Sequence, residues 1–438
     1  MRLLLIAYEF PPSPSPQSLR WTYLVRELAA LGHEIHVLAP DLGGETPGLP
    51  QVPDAVRVHR CFAGPFRGLM AWRRKRRHAV QHTRPIQADS TPPDQPAVLR
   101  PPRNWKQRIS ERVQAILERV LFPDLRGEWK PWATRALHRL LRDLQPDLVI
   151  SSHEPATTLE LGLMARAHGF RWVADLGDPV LAGYTPARWR ARAGRLEKSA
   201  FRRANLLTVT TPTTAALLRE RYASDDLASP AIRVLTQGFD PQPARPPAPQ
   251  IRKMFEHHRL ELLYTGSLYS FRRVDALLGA LASNPALRLT IAAVTVPEHV
   301  LAASRALPAQ IRLLGFMPHM AILELQREAD VLVNLANADM TQVPGKIFEY
   351  LGALRPILHL GSDHDPAGAL IQTLRRGWVC ENETEALVAR LHGLVLAKAE
   401  SRLECGLQLE LASVMAYSWR EIAAELDQGL RTVSTTCS

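Results

Sequence analysis

LLIAYEFPPSPSPQSLRWTYLVRELAALGHEIHVLAP, residues 4–40, reads as strand, loop, helix and strand in turn. Leu3–Ala7 is an unbroken apolar run, the pattern of a strand buried on both faces. Ser18–Leu31 spaces its apolar residues as an amphipathic helix and stops at Gly32. His33–Ala39 is the next strand and Val56–Cys61 the third. Asp147–Ser151, Trp172–Leu176 and Leu206–Val209 continue the series as short apolar strands with helical segments between them. Such alternation implies a parallel sheet with right-handed crossovers, whose ligands sit beyond the carboxyl ends of the strands.

A second alternation lies further on, with strands expected at Leu262–Thr265, Leu287–Ala292, Ile311–Leu314, Val331–Leu335 and Pro356–Leu358. FDPQPARPPAPQ, Phe239–Gln250, separates the two series as a proline-rich linker. The 438 residues suit two domains of about 200 each. The expected fold is α/β: two Rossmann-like domains facing each other across a cleft. The first spans 1–240, with a basic and helical insertion at 62–145; a linker at 241–250 leads to the second, 251–415. Residues 416–438 close the chain as a helix and tail packing back on the first domain. A ligand then belongs between the two units.

Composition narrows the class. With 46% hydrophobic and 22% charged residues the chain is globular rather than disordered. Its net charge of +11 favours anionic partners without choosing among them. The cysteines, Cys61, Cys380, Cys405 and Cys437, are too scattered for a zinc or disulfide framework, so no metal site is expected and a reducing compartment is. The apolar run at the start is too short for a signal peptide, and no stretch is long enough to span a membrane. No G-x-G-x-x-G follows a strand and no G-x-x-x-x-G-K-[ST] occurs, which disfavours nicotinamide enzymes and NTPases. No helix-turn-helix, zinc or RNP pattern points to nucleic acid.

VPGKIFEYLGALRPIL, Val343–Leu358, carries the most chemistry. Pro344 suits the first turn of a helix. The amides of Gly345, Lys346 and Ile347 would then point out of a positive helix end, where a diphosphate is stabilised. Lys346 adds a point charge. Glu349 lies one turn on, and its carboxylate, an acceptor only, suits the two hydroxyls of a ribose. Spacing alone equally allows a proline-led helix with a Lys346–Glu349 surface pair.

The segment resembles the nucleotide-sugar-binding helix of the GT-B glycosyltransferases, above all glycosyltransferase family 4. The opening 37 residues quoted above resemble that family's first strand, loop, helix and second strand. LEKSAFRRANLLTVTTPTTAALLRERY, VLTQGFD (234–240) and YTGSLYSFRRVDALLGAL (264–281) resemble later family segments in the same order. The resemblance covers most of the chain outside 62–145. It implies a sugar transferred from a nucleoside-diphosphate sugar to an acceptor hydroxyl, with retained configuration and no cofactor or catalytic metal. It also implies that Glu349 grips the donor ribose, that Gly266 lets the backbone approach the phosphates, and that Arg272 stands at the family's phosphate-binding lysine with Arg273 beside it. Two positions depart from the family: Ser267 replaces an arginine and Thr341 the first glutamate of an E-x7-E pair, so donor-sugar recognition differs here. Where the family has a glycine pair, the first loop reads PPSPSPQS, and Arg20 nearby is expected to face the cleft instead.

Two first-domain loops offer residues for the glycosidic centre. SSHEPAT (151–157) places His153 after a strand and DLGDPV (175–180) places Asp178 after the next; Gly177 stands where the resembling subgroup has arginine or histidine. Lys346, Arg272, His153 and Asp178 are the catalytic candidates; Gly266, Arg272, Arg273, Pro344, Gly345, Lys346, Ile347 and Glu349 are the donor-binding ones. Asp178 reads equally as a helix cap and His153 as a loop residue. The run RGLMAWRRKRRH, 67–78, reads either as a solvated loop or as a contact with anionic lipid beside a glycan or lipid-linked acceptor. The expectation is a cytoplasmic enzyme, peripheral on the inner face of a membrane, in polysaccharide or lipid-linked glycan assembly. A nucleotide-sugar epimerase of the same fold and a non-catalytic partner subunit are the alternatives.

Overall fold

A computed structural model describes residues 1–44, 48–82, 120–222, 230–241, 248–268, 272–337 and 343–435, with 77–82 by backbone alone. Thr341, residues 83–119 of the insertion and most of the linker lie outside the described residues.

Thirteen strands fall into two sheets among the described residues. The first holds β1 (Arg2–Ala7), β2 (Glu34–Asp41), β3 (Val56–Phe62), β4 (Leu148–His153), β5 (Trp172–Leu176), β6 (Leu206–Val209) and β7 (Ala231–Val234), in the order β3-β2-β1-β4-β5-β6-β7. The second holds β8 (Leu260–Thr265), β9 (Leu287–Ala292), β10 (Ile311–Leu313), β11 (Val331–Leu335), β12 (Ile357–Leu360) and β13 (Gly377–Cys380), in the order β10-β9-β8-β11-β12-β13. Every neighbouring pair is parallel. Helices cover both faces of each sheet, which is why every residue of β4, β8 and β11, and all but the first of β1, is buried. The order reverses between β1 and β4 and again between β8 and β11, the switch points beside which sheets of this kind open a crevice.

The helix Pro16–Ala30 starts where Ser15 accepts the Ser18 amide at 3.1 Å and Pro16 takes the first turn. It is buried from two sides, by the first sheet and by the closing helix Trp419–Thr435, whose Trp419, Ile422, Leu426 and Leu430 join the first domain's core. Outgoing and returning chain meet at the hinge: Phe239 N donates to Tyr417 O at 3.1 Å and Trp419 N to Phe239 O at 2.9 Å. Gly238 is required there, because a Cβ would lie 2.9 Å from Tyr417 O and 2.7 Å from Ile422 Cδ1.

Two expectations are corrected. Residues 67–76 are not a loop: they belong to a helix, Pro65–His82, whose first amides are held by the Glu128 carboxylate, Phe66 N at 3.0 Å and Arg67 N at 2.7 Å. Arg20 does not face the cleft. It is fully buried and pairs with Asp175 Oδ1 at 3.2 Å while donating to Thr236 O at 2.6 Å. Among the described residues no helix is long and apolar enough to cross a membrane.

Candidate functional site

The second crevice begins where β8 ends. Gly266 follows Thr265 with φ +94°, a left-handed conformation that glycine adopts without strain, and a Cβ there would meet open space. Its amide is already committed to Ala292 O at 3.0 Å, so what it leaves for a ligand is clearance.

The helix Lys346–Ala353 aims its start at the same place. Ile347 N donates to Pro344 O at 3.0 Å and Phe348 N to Gly345 O at 3.2 Å, so a ligand is left with the amides of Gly345 and Lys346. Ile347, expected at the site, is wholly buried in the second domain's core, and Pro344 is buried beside it. The Lys346 ammonium sits 3.5 Å from the Tyr264 ring centroid and donates to Thr265 O at 3.2 Å. Burial, and next the nearby Arg272, hold its pKa well below the ordinary lysine value; Glu349 opposes them weakly. A diphosphate would relieve both strains.

Arg272 joins Lys346 through Tyr264. Its Nη1 donates to Tyr264 Oη at 3.2 Å and Nη2 to Asn337 Oδ1 at 3.0 Å, while Nε is buried without a partner among the described residues. Arg273 is exposed and outside the cleft lining; its carbonyl accepts from Asn382 at 2.7 Å. Glu349 stands one helical turn from Lys346. Its carboxylate accepts from Gln326 Nε2 at 3.3 Å and lies 3.9 Å from His319 Nδ1, with room left for further donors.

Two adjoining cavities meet at Lys346, Glu349, His319 and Leu19. One runs past Gly266, Ser267, Val294, Phe316 and Met317; the other runs under Gln237, Asp240, Tyr23 and Trp419. Because Leu19 and Tyr23 come from the first domain, Lys346 and Glu349 lie in the interdomain cleft. Tyr264, His319, Gln326 and Asn337 are site residues the sequence reading missed. Their only local signals were position, Tyr264 near the end of one strand, Asn337 after another and His319 just behind Pro318 at a helix start.

His153 and Asp178 sit together across the cleft, at the carboxyl edge of the first sheet. His153 ends β4; burial lowers its pKa most, so the ring is neutral near pH 7. Its carbonyl accepts from Gln17 Nε2 at 2.6 Å, and Gln17 belongs to the helix whose Pro16 and Leu19 line the cleft. Asp178 caps no helix: the next one begins at Ala187, and Asp178 accepts from Tyr184 Oη at 3.4 Å. Gly177 has a reason to lack a side chain, since a Cβ would lie 2.7 Å from Gln17 Nε2.

Residues 17–229 match the family described as "Glycosyl transferase 4-like domain". No curated protein matches the chain in sequence. Sucrose-phosphate synthase from Thermosynechococcus elongatus superposes with a TM-score of 0.68 at 16% identity, covering all of both chains. HepE of Anabaena, solved with UDP, gives 0.64 at 12% identity over 99% of this chain and 100% of its own, and was also solved with UDP-glucose. WaaG, a glycosyltransferase involved in lipopolysaccharide biosynthesis, gives 0.57 at 14% identity over 99% and 100%. At these identities the likeness establishes the shared GT-B fold.

Proposed function

We propose that the protein, whose residues 17–229 match the glycosyl transferase 4-like domain model and whose whole chain has the GT-B fold, is a glycosyltransferase moving a sugar from a nucleoside-diphosphate sugar to an acceptor hydroxyl with retained configuration. The observation that carries this is the convergence of Gly266, Lys346 and Glu349 on one interdomain cleft, with Arg272 behind Lys346. The leaving diphosphate lies at the Gly345 and Lys346 amides, where the Lys346 ammonium and Arg272 take up the charge that develops as the glycosidic bond breaks. These fixed cations do the work a divalent metal does elsewhere, so the reaction needs no cofactor. Glu349 holds the ribose hydroxyls. His153, neutral, and Asp178 face the sugar from the first domain.

The test is a thermal-shift scan with UDP, GDP, ADP and CDP. At least one raises the melting temperature, and Glu349→Ala removes most of that shift, because losing two hydrogen bonds to a carboxylate costs about 2–3 kcal/mol of binding. No shift with any nucleotide would make the chain a non-catalytic subunit. Turnover of a nucleotide sugar without acceptor would make it an epimerase.

Protonation gives a second check. A sugar nucleotide, whose phosphates do not titrate near neutrality, binds the ammonium form of Lys346. Free Lys346 has a lowered pKa and the bound form a restored one, so binding takes up a proton. Affinity therefore falls as pH rises through the lowered pKa, well below 10.5. Calorimetry in buffers of different ionisation enthalpy detects the uptake, and Lys346→Met abolishes it.

We place the acceptor, a glycan or lipid-linked glycan, at the inner face of a membrane, in polysaccharide or lipid-linked glycan assembly. The helix Pro65–His82 supports this: Met70 and Trp72 are 41% and 48% exposed, and Arg76 lies over the Trp72 ring at 3.9 Å. Glutamines at Arg73, Arg74, Lys75, Arg76 and Arg77 should weaken binding to phosphatidylglycerol liposomes by at least tenfold, since each charge near the surface contributes about 1 kcal/mol, and leave nucleotide binding intact. Unchanged liposome binding would remove the membrane from the proposal.

A further inference from the structure

A buried polar chain runs from Glu349 into the second sheet. Gln326, on the helix His319–Glu328, is wholly enclosed. Its Nε2 donates to Glu349 Oε2 at 3.3 Å and to Thr265 Oγ1 at 3.4 Å. Both contacts are at the long end for hydrogen bonds, as contacts in a site often are before a ligand tightens them. Thr265 ends β8, and its hydroxyl pairs with Tyr350 Oη at 3.1 Å. Tyr350 follows Glu349 on the same helix; its Oη accepts from Thr265 N at 3.1 Å and donates to Val333 O of β11 at 3.4 Å. The chain therefore ends on the two strands that flank the switch point.

Its protons can be placed. An ionised carboxylate only accepts, so the Gln326 amide turns its NH2 group to Glu349. The second N–H of that group goes to Thr265 Oγ1, the Thr265 hydroxyl to Tyr350 Oη, and the Tyr350 hydroxyl to Val333 O. The reverse amide orientation would set a carbonyl against the carboxylate and break the first link. Gln326 Oε1 is the atom left over, buried without a partner among the described residues. A wholly buried glutamine with an unpaired carbonyl is a poor choice for stability alone. What it gains is a fixed N–H on Glu349. Thr265 joins this anchor to the other charge of the site, because its carbonyl accepts from Lys346 Nζ at 3.2 Å.

We infer that Gln326 is a positioning residue: it holds the Glu349 carboxylate so that both oxygens meet the 2′ and 3′ hydroxyls of a ribose, and it thereby sets a preference for ribonucleotides over 2′-deoxynucleotides. The inference rests on the donor reading above. A glutamate has three side-chain torsions to fix, and a carboxylate that must meet two hydroxyls at once binds better when they are fixed beforehand. Gln326 holds Oε2, and the common tie to Thr265 keeps the carboxylate in register with the Lys346 ammonium.

The experiment is titration calorimetry on the full chain with the nucleoside diphosphate that stabilises it best and with its 2′-deoxy counterpart, for the unsubstituted protein, Gln326→Met and Gln326→Glu. Methionine keeps the length of the side chain, leaves Thr265 Oγ1 on Tyr350 Oη, and strands no charge, because the Glu349 side chain is 22% exposed. The unsubstituted chain should prefer the ribonucleotide about tenfold or more, the worth of a hydrogen bond to a charged group. Gln326→Met should cut that preference to about threefold or less, since the carboxylate is no longer fixed before binding. A merely structural role would weaken both nucleotides together and leave their ratio alone. Gln326→Glu sets two carboxyls side by side. At about pH 8 both are charged and repel, so the preference is lost; at about pH 5.5 they share a proton, a donor to Glu349 returns, and the preference returns with it. A preference undiminished in folded Gln326→Met, or in Gln326→Glu at the higher pH, overturns the positioning role and leaves the donor reading standing. An unsubstituted chain that binds neither nucleotide, or binds both alike, fails the donor reading and takes this inference with it.

Discussion

Lys346→Ala lowers kcat with the preferred sugar nucleotide by about 10²–10³-fold, the effect of removing one preorganised charge from a developing anion. The ammonium is fixed between the Tyr264 ring and Thr265 O before any ligand arrives, so little is spent on reorganising it. It is also half-buried in the free protein, where burial lowers its pKa, and a site that has already shed water strengthens the charge it keeps. The gain grows as the diphosphate leaves, so kcat suffers more than KM. Arg272 remains and sustains the residual rate. Steady-state kinetics with a melting curve for each protein makes the check; an unchanged kcat in a folded variant would remove Lys346 from the reaction.

Arg20→Ala destabilises the first domain by about 3–5 kcal/mol, because the Asp175 charge is left buried without its partner. Arg20 is fully enclosed and Asp175 nearly so. Besides Arg20, among the described residues Asp175 Oδ1 accepts only from Thr208 Oγ1, at 2.7 Å. For a domain of this size the loss lowers the melting temperature by roughly 10 °C. The double change Arg20→Met with Asp175→Leu should recover much of it, since an apolar pair of similar volume leaves no charge stranded. Differential scanning calorimetry of the three proteins decides this.

Arg20 also shows where local pattern stops. A lone arginine on a helix beside a proline-rich loop reads as solvent-facing or ligand-facing. The Pro16–Ala30 helix is instead covered on its far side by a helix that arrives 400 residues later in sequence, and no short-range periodicity carries that information. Central strands were legible because both faces are covered and apolar runs follow. The edge strands β7 and β13 were not: Ala231–Val234 and Gly377–Cys380 are largely half-exposed and mixed in character. The helix at 65–82 was hidden by its arginines, since among residues 65–76 only Gly68 and Ala71 are buried and its start depends on Glu128, some 60 residues away. At the site, Lys346 and Glu349 were readable because one helix start holds both. Tyr264, His319 and Asn337 were not, because three separate strand ends and loops bring them there. Ile347 was over-read: Pro344 takes its amide and the helix turns its side chain inward.

The most direct test of the account is a crystal structure of the protein with the nucleoside diphosphate that stabilises it best. The diphosphate should lie against Lys346 Nζ and the amides of Gly345 and Lys346, with both ribose hydroxyls on the Glu349 carboxylate. A nucleotide bound away from the interdomain cleft, or lying in the cleft with its ribose turned from Glu349, would contradict it.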